Sequence, residues 1–305
     1  MNKPSFDFGM IGLGVMGRNL LLNMADHHFA VIGFDNDKTK GATLESAASP
    51  GTLVKAAGTL GEMVEYLKTP RKLMLLVPAG PIVDDVINDL LPLLSNGDIV
   101  IDGGNSHYTD TIRRINFLQD KGVHFMGMGV SGGEEGARKG PSIMPGGDVL
   151  AWQQVKPILE SVAAKVNLPA GQGGGEPCVA YMGKAAAGHY VKMVHNGIEY
   201  AVMQLISEVY DLLKHAVGLN NDELYVLFKK WNEGEMQSFL IEITRDIFLK
   251  EDDITKNRLV DMILDKAGSK GTGKWTSQDA MDLPVPIPTI DIAVAMRDLS
   301  VFKEE

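Results

Sequence analysis

With 305 residues, 45% of them hydrophobic and 22% charged, the chain has a globular composition and the length for one large or two ordinary domains. A formal net charge of −10 argues against nucleic acid or an anionic membrane as partner, so an anionic substrate would need its own cluster of Lys and Arg. The single cysteine, Cys178, excludes an internal disulfide and a cysteine zinc site, and no signal-peptide pattern or spanning apolar run is present, which together indicate a cytoplasmic protein.

Residues 6–11 form a short apolar run leading into Gly12-Leu13-Gly14-Val15-Met16-Gly17, and residues 18–26 continue as a helix pattern. This is a G-x-G-x-x-G between strand and helix. The first glycine turns the chain, the second admits a pyrophosphate to the backbone, and the third packs helix against strand. The phosphates then lie over the helix N-terminus, drawn by free N–H groups and the dipole. Gly12, Gly14, Val15, Met16 and Gly17 are therefore expected cofactor contacts. Residues 30–34 read as the second strand, closed by Asp35-Asn36-Asp37. A carboxylate at Asp35 suits the two ribose hydroxyls of an adenosine and repels a 2′-phosphate. No Arg adjoins it, and Lys38 and Lys40 read as the solvated start of a helix. NAD is thus favoured over NADP, with Asn36 as a further contact.

Residues 72–77, 98–102 and 123–128 are further buried-strand candidates, separated by helical stretches near 82–94 and 109–121. The alternation specifies an α/β Rossmann-type doubly wound sheet. Such sheets place ligands at strand carboxyl ends, where Val77, Asn105 and Ser131-Gly132-Gly133 fall. Val77 and Asn105 are expected at the cofactor, and Asn105 also at the substrate. Ser131, Gly132 and Gly133 offer a hydroxyl and backbone N–H groups suited to a carboxylate.

The character changes after the glycine-rich loop at 171–177, giving a dinucleotide-binding domain over 1–179 and an all-α domain over 180–305. Helical patterns cover 190–215, 221–231, 238–248, 257–265 and 289–302. Within the first, GHYVKMVHNGIEY, helical spacing puts Lys192, His195 or Asn196, and Glu199 on one face. Val191, Val194 and Ile198 lie on the opposite face, expected to meet other helices. Gly188 and Gly197 weaken this helix, which makes sense where something approaches the backbone closely. Lys270 and Thr272 in the loop KGTGKW, together with Arg297, form an anion-binding set that lacks the strand and spacing of a P-loop. No HExxH, Cys/His spacing or EF-hand cluster is present, so a metal is not expected. The end at FKEE directly follows a helical pattern and reads as cut.

Together, GLGVMGRNLLLNMADH, IDGGNSHYTDT, GVSGGEEGARKGPSIMPGG, GHYVKMVHNGIEYAVMQL, SFLIEIT and AGSKGTGKWT resemble the decarboxylating 6-phosphogluconate dehydrogenases of the β-hydroxyacid dehydrogenase superfamily. The resemblance implies oxidation of 6-phospho-D-gluconate at C3, loss of CO2, and protonation of the enediol to ribulose 5-phosphate, a step of the pentose phosphate pathway. It implies Lys192 as general base and Glu199 as the acid that protonates C1. Asn105, Ser131, Gly132, Gly133, His195 and Asn196 then match contacts to the substrate carboxylate and hydroxyls, and Tyr200, Lys270, Thr272 and Arg297 match a phosphate pocket. A lysine serves as base only with its pKa lowered, and a carboxyl as acid only with its pKa raised. Two departures stand out. Asp35-Asn36-Asp37 replaces the Asn-Arg-Thr of NADP-dependent members, which reinforces the NAD expectation. The remainder of the helical domain and the tail that enters the partner subunit have no counterpart here, so a homodimer is expected of a full-length chain. The alternatives are an NAD-dependent dehydrogenase of another β-hydroxyacid, or a cofactor-binding fragment without turnover.

Overall fold

The computed structural model describes residues 5–166 and 175–302. β1 (Phe8–Ile11) is wholly buried and runs into α1 (Val15–Asp26). There follow β2 (Val31–Phe34), α2 (Lys38–Ser46), β3 (Val54–Ala56), α3 (Leu60–Tyr66), β4 (Lys72–Leu75), α4 (Pro81–Leu90), β5 (Ile99–Asp102) and α5 (Tyr108–Gln119). β6 (His124–Ser131), α6 (Gly133–Lys139), β7 (Ser142–Gly147) and α7 (Val149–Val162) complete the main layer structure, and β8 (Lys165–Val166) pairs with β9 (Glu176–Pro177). The seven-stranded sheet has the order β3-β2-β1-β4-β5-β6-β7, parallel except for β7, which runs antiparallel to β6. This is the doubly wound α/β arrangement the alternating pattern specified, with its crevice at the switch between β1 and β4.

The sequence explains the layers. FGMI, VIGF, KLML and IVID are short, nearly continuous apolar runs, as strands covered on both faces must be. One core packs Leu20, Leu21 and Met24 of α1 with Val155 and Leu159 of α7 on one face. The other packs Met63, Val83, Ile87 and Leu118 on the opposite face. Helix starts are fixed by local chemistry: Asp148 accepts the N–H of Leu150 at 2.6 Å, and Thr59 accepts that of Glu62 at 3.1 Å.

The described chain divides into two compact units, residues 1–193 and 194–305, the division falling inside α8 (Ala187–Asp211). The second unit is helical. α8 ends in a π-helical turn at Leu212–Val217 stopped by Gly218 at φ 84°. α9 (Asn221–Asn232) opens with a capping box between Asn220 and Glu223, and α10 (Phe239–Leu249) is capped by Ser238. Leu224, Phe228, Ile241 and Phe248 form the core between them. α11 (Thr272–Asp282) and α12 (Pro288–Leu299) follow.

Three local expectations fail. Residues 257–265 hold only a short 3-10 turn at Leu259–Asp261, because Arg258, Asp261 and neighbouring backbone groups tie the segment to α9 and α10 instead. The KGTGKW loop becomes the first turn of α11, beginning at Thr272. On α8, Val191 and Ile198 are exposed, 36% and 53%, whereas Lys192 is buried at 6%. The packed face is therefore the one that carries the lysine, next to buried Met193, and glycines give it a close approach.

Candidate active site

The nucleotide crevice is built by the three glycines in three different ways. Gly12 sits at φ 94°, and a Cβ there would lie 2.4 Å from the carbonyl oxygen of Leu76 beyond β4. A Cβ at Gly17 would lie 1.9 Å from the carbonyl oxygen of Gly12. Gly14, between them, faces open space and caps α1 without any side-chain bond, so the helix N-terminus stays available to an anion. Val15 is exposed and Met16 half-buried beside it. Val77 lies across the crevice, its Cγ1 3.1 Å from where a Gly12 Cβ would stand. The donor set therefore fits a dinucleotide pyrophosphate.

At the end of β2, Asp35 accepts the N–H of Leu13 at 2.8 Å and that of Asp37 at 2.9 Å. Lys40 Nζ stands 3.2 Å from both of its oxygens. Asp37 caps α2 through Thr39, whose hydroxyl holds its carboxylate below the usual range, and Asn36 is exposed. A cavity of about 180 Å3 opens here, lined by Asp35, Lys38, Ala42, Ala57 and Gly58 among others.

Lys192 lies deeper in the same unit. α8 approaches β6 and β7 along a seam of glycines. A Cβ at Gly188 would stand 2.2 Å from the Gly127 carbonyl oxygen, and one at Gly146 would stand 2.2 Å from the Gly188 nitrogen. A Cβ at Gly129 would meet Lys192 Cβ at 2.5 Å, so the bare strand leaves the room that the lysine stem occupies. The close approach foreseen at Gly188 is thus made by the sheet itself. Ser131 ends this same strand, and Gly132 and Gly133, at φ 127° and 60°, turn it into α6. Asn105 is exposed beyond the carboxyl end of β5.

Sequence reasoning missed the polar set beneath that strand end. Asp102 accepts the Gly104 N–H at 3.0 Å, the Ser106 hydroxyl at 2.6 Å and Arg114 at 3.3 Å. Arg114, 1% exposed, also forks onto Asp84 at 2.9 and 3.0 Å. Arg114 and then Arg113 hold the Asp84 carboxyl far below the usual carboxylate range. The available signal was an aspartate ending an apolar strand, followed by adjacent arginines on the next helix.

The second unit gathers the remaining candidates except Lys270, which is exposed. His195 Nδ1 lies 3.4 Å from Glu199 Oε2 and 3.2 Å from Asn196 Oδ1. Asn196 donates to Thr272 Oγ1 at 3.3 Å. Thr272 is buried in the first turn of α11, which Gly271 at φ 96° precedes without a side-chain cap. The Arg297 guanidinium lies 3.7 Å from the Tyr200 ring centroid and donates to the Gly268 carbonyl at 2.7 Å. Gly197 and Gly273 admit Thr276 and Tyr200, whose atoms a Cβ would meet at 2.9 and 2.5 Å. Tyr200, Thr272 and Arg297 are thereby collected around an uncapped helix start, an arrangement suited to an anion. Among the described residues no group of three or more metal-ligating side chains occurs.

Comparison with known proteins places these features in a family. The NAD binding domain of 6-phosphogluconate dehydrogenase matches residues 7–183, and the C-terminal domain of 6-phosphogluconate dehydrogenase matches residues 188–305. The chain is 54% identical, over 97% of its length, to an NADP(+)-dependent, decarboxylating 6-phosphogluconate dehydrogenase of Bacillus subtilis (strain 168), and covers 62% of that protein. It is 52% identical, over 99% of its length, to the decarboxylating 6-phosphogluconate dehydrogenase 1 of Saccharomyces cerevisiae, and covers 60% of it. The solved 6-phosphogluconate dehydrogenase of Plasmodium falciparum, described with NADP+ and with 6-phosphogluconate, superposes with a TM-score of 0.90 at 47% identity, covering 98% of this chain and 62% of that one. The 3-hydroxyisobutyrate dehydrogenase of Salmonella typhimurium shares the fold, with a TM-score of 0.72 at 20% identity over 96% of this chain and 93% of that one. The chain thus spans about three fifths of the length of the curated relatives it matches.

The expectation of NAD over NADP is overturned here: the Bacillus relative is NADP(+)-dependent and the Plasmodium structure is described with NADP+. The physical reason lies at Asp35. A bare carboxylate there would repel a 2′-phosphate, but Lys40, expected to be solvated, folds back to pair with both oxygens. The charge that was to exclude a 2′-phosphate already has its counterion, and Lys38 lines the adjoining cavity.

Proposed function

This chain belongs to the 6-phosphogluconate dehydrogenase family, and on that premise we propose that it oxidises and decarboxylates 6-phospho-D-gluconate to ribulose 5-phosphate and CO2 with reduction of NADP. The observation that carries this reading is the buried Lys192, its stem laid over bare Gly129 on the strand that leads into Ser131-Gly132-Gly133. NADP, when bound over Gly14 and the start of α1, supplies the hydride acceptor. Val15, Met16, Gly17 and Val77 flank it, and Lys38 and Lys40 serve its 2′-phosphate beside Asp35 and Asn36.

Lys192 takes the proton of the C3 hydroxyl as hydride leaves that carbon. It then holds its proton toward the new carbonyl oxygen, which stabilises the charge that develops as the carboxylate departs. Glu199 delivers a proton to C1 of the resulting enediol, and His195 at 3.4 Å orients the carboxyl. Asn105, Ser131 and the N–H groups of Gly132 and Gly133 hold the carboxylate and hydroxyls, together with His195 and Asn196. Tyr200, Lys270, Thr272 and Arg297 hold the phosphate. The stacking of Arg297 on Tyr200 supports a phosphorylated substrate over another β-hydroxyacid. A full-length homodimer is part of this reading, supported by exposed apolar side chains of the second unit such as Phe239 and Ile254.

The test is NADPH formation and CO2 release from 6-phosphogluconate. Lys192→Met removes turnover while NADPH binding persists. Arg297→Ala raises KM for 6-phosphogluconate by roughly 10–100-fold, as expected for a charge-assisted contact of about 1.5–3 kcal/mol. An unchanged KM in that variant would transfer the reading to an unphosphorylated β-hydroxyacid.

A further inference from the structure

His189 stands one turn before Lys192 on α8 and is 2% exposed. Its ring fills a slot left by Gly127 of β6, where a Cβ would come within 2.7 Å of both Nδ1 and Thr111 Cγ2. Nδ1 lies 2.6 Å from Thr111 Oγ1 on α5. Nε2 is buried without a hydrogen-bond partner. Gly127 pairs with Asp102 across the sheet, which brings the ring to the carboxyl end of β5, where the backbone of Asp102 and Gly104 favours its protonated form as carbonyl acceptors do.

Charge and tautomer follow from these neighbours. Burial pushes the His189 pKa down. The Asp102 carboxylate opposes that shift and Arg114 adds to it, so burial prevails. Asp102 is in any case engaged by Gly104, Ser106 and Arg114. The ring is neutral and carries one proton. If that proton were on Nδ1, the bare Nε2 lone pair would face two carbonyl oxygens and be repelled by them. A proton on Nε2 instead points at those carbonyls, an attractive arrangement, and the Thr111 hydroxyl then turns to Nδ1 at 2.6 Å in preference to the more distant His107 carbonyl at 3.3 Å.

We propose that His189, held as the neutral Nε2–H tautomer, is a positioning residue that clamps the Gly103-Gly104-Asn105 loop against the turn of α8 carrying Lys192. The role it serves rests on the assignment of Lys192 as base and Asn105 as substrate contact. α8 meets the strands across bare glycines, and the side chains laid over them from this turn, His189 on Gly127 and Lys192 on Gly129, decide where the loop rests relative to the lysine. His189 is the side chain that reaches both α5 and the β5 loop.

Two measurements test the clamp. Ring 15N shifts of the whole chain should show His189 as Nε2–H and non-titrating across the usual imidazole pKa of about 6.5. A ring that titrates there, or an Nδ1–H signature, overturns the proposal without reference to any activity. In kinetics, His189→Phe keeps volume and loses both polar ends. It should lower kcat roughly 10–100-fold, the order expected of an ångström-scale misplacement, with KM for NADP unchanged. His189→Gln restores an N–H toward the carbonyls and should recover most of the loss. A His189→Phe variant that loses thermal stability but keeps kcat makes the residue a packing element and ends the proposal. Should His189→Phe not fold, Thr111→Val gives the decision, since loss of the hydroxyl should lower kcat in the same direction and an unchanged kcat refutes the clamp. A wild-type chain inactive on 6-phosphogluconate would sink the proposed reaction instead. Amide exchange at Gly104 would then still report the clamp, accelerating in His189→Phe if it is real and unchanged if it is not.

Discussion

Arg114 is the largest fully buried side chain among the described residues and spends all three of its nitrogens on Asp84, Asp102, Ser106 and the Gly80 carbonyl. Asp102 is equally buried, at 1%. Arg114→Met should therefore cost about 3–5 kcal/mol in chemical denaturation, because it strands a buried carboxylate. The depressed Asp84 carboxyl fixes a pH dependence. Its stabilising contribution is complete above the usual aspartate pKa of about 3.9 and is lost as pH falls through the lower folded value. Asp84→Asn should be less stable than the parent at neutral pH, and the gap in melting temperature should close on acidification below that point. His189 works in the same direction at higher pH. Its lowered folded pKa means protonation favours the unfolded chain once pH drops below about 6.5. At the cofactor end, Lys40→Ala bares Asp35 and should weaken NADPH binding by roughly 2–5-fold, the range of a partly exposed ion pair, while sparing NADH. Residue-level legibility was uneven for one reason. Lys192 and Glu199 lie seven apart on one helix, so spacing exposed them. Asp35 misled because its partner reaches back around a turn, and the Asp102, Arg114, Thr111 and His189 set joins segments remote in sequence.

Among the elements, β1, β2, β4, β5 and β6 were read from their apolar runs and glycine turns, whereas β3, α3, α6, α7 and the helix α11 were not. The antiparallel direction of β7 (SIMPGG) is set by its pairing with β6 from Met126 to Ser131, which local sequence does not carry. KGTGKW looks like a loop until Trp275 folds over Gly271 and Tyr200 packs against Gly273. The three cofactor glycines can be separated experimentally, because only two of them are crowded. Gly17→Ala forces its Cβ onto the Gly12 carbonyl and should lower the melting temperature as well as cofactor affinity. Gly14→Ala meets no protein atom within 4 Å and should leave the melting temperature unchanged, while a methyl in the path of the pyrophosphate weakens NADPH binding about tenfold or more. Loss of stability without loss of binding in Gly14→Ala would remove the pyrophosphate from that turn.

Taken whole, the described chain holds a sheet-based unit with two apolar cores and a helical unit with a smaller one around Phe228 and Phe248. No helix among the described residues is long and apolar enough to cross a membrane. Binding that is specific to the folded state raises stability by mass action, so NADPH at about 100 times its Kd should add about 2.7 kcal/mol, read as an upward shift of the melting temperature. NADH should need a higher concentration for the same shift, and equal potency would contradict the NADP assignment. The seam between α8 and the strands also limits how the gene can vary. Every single-base change in a glycine codon is either silent or brings in a side chain or a stop. At Gly127, Gly146 and Gly188 a side chain meets backbone or a buried ring at under 3 Å. Loops and surfaces of this chain can diversify one nucleotide at a time, but these three codons drift only at their third base.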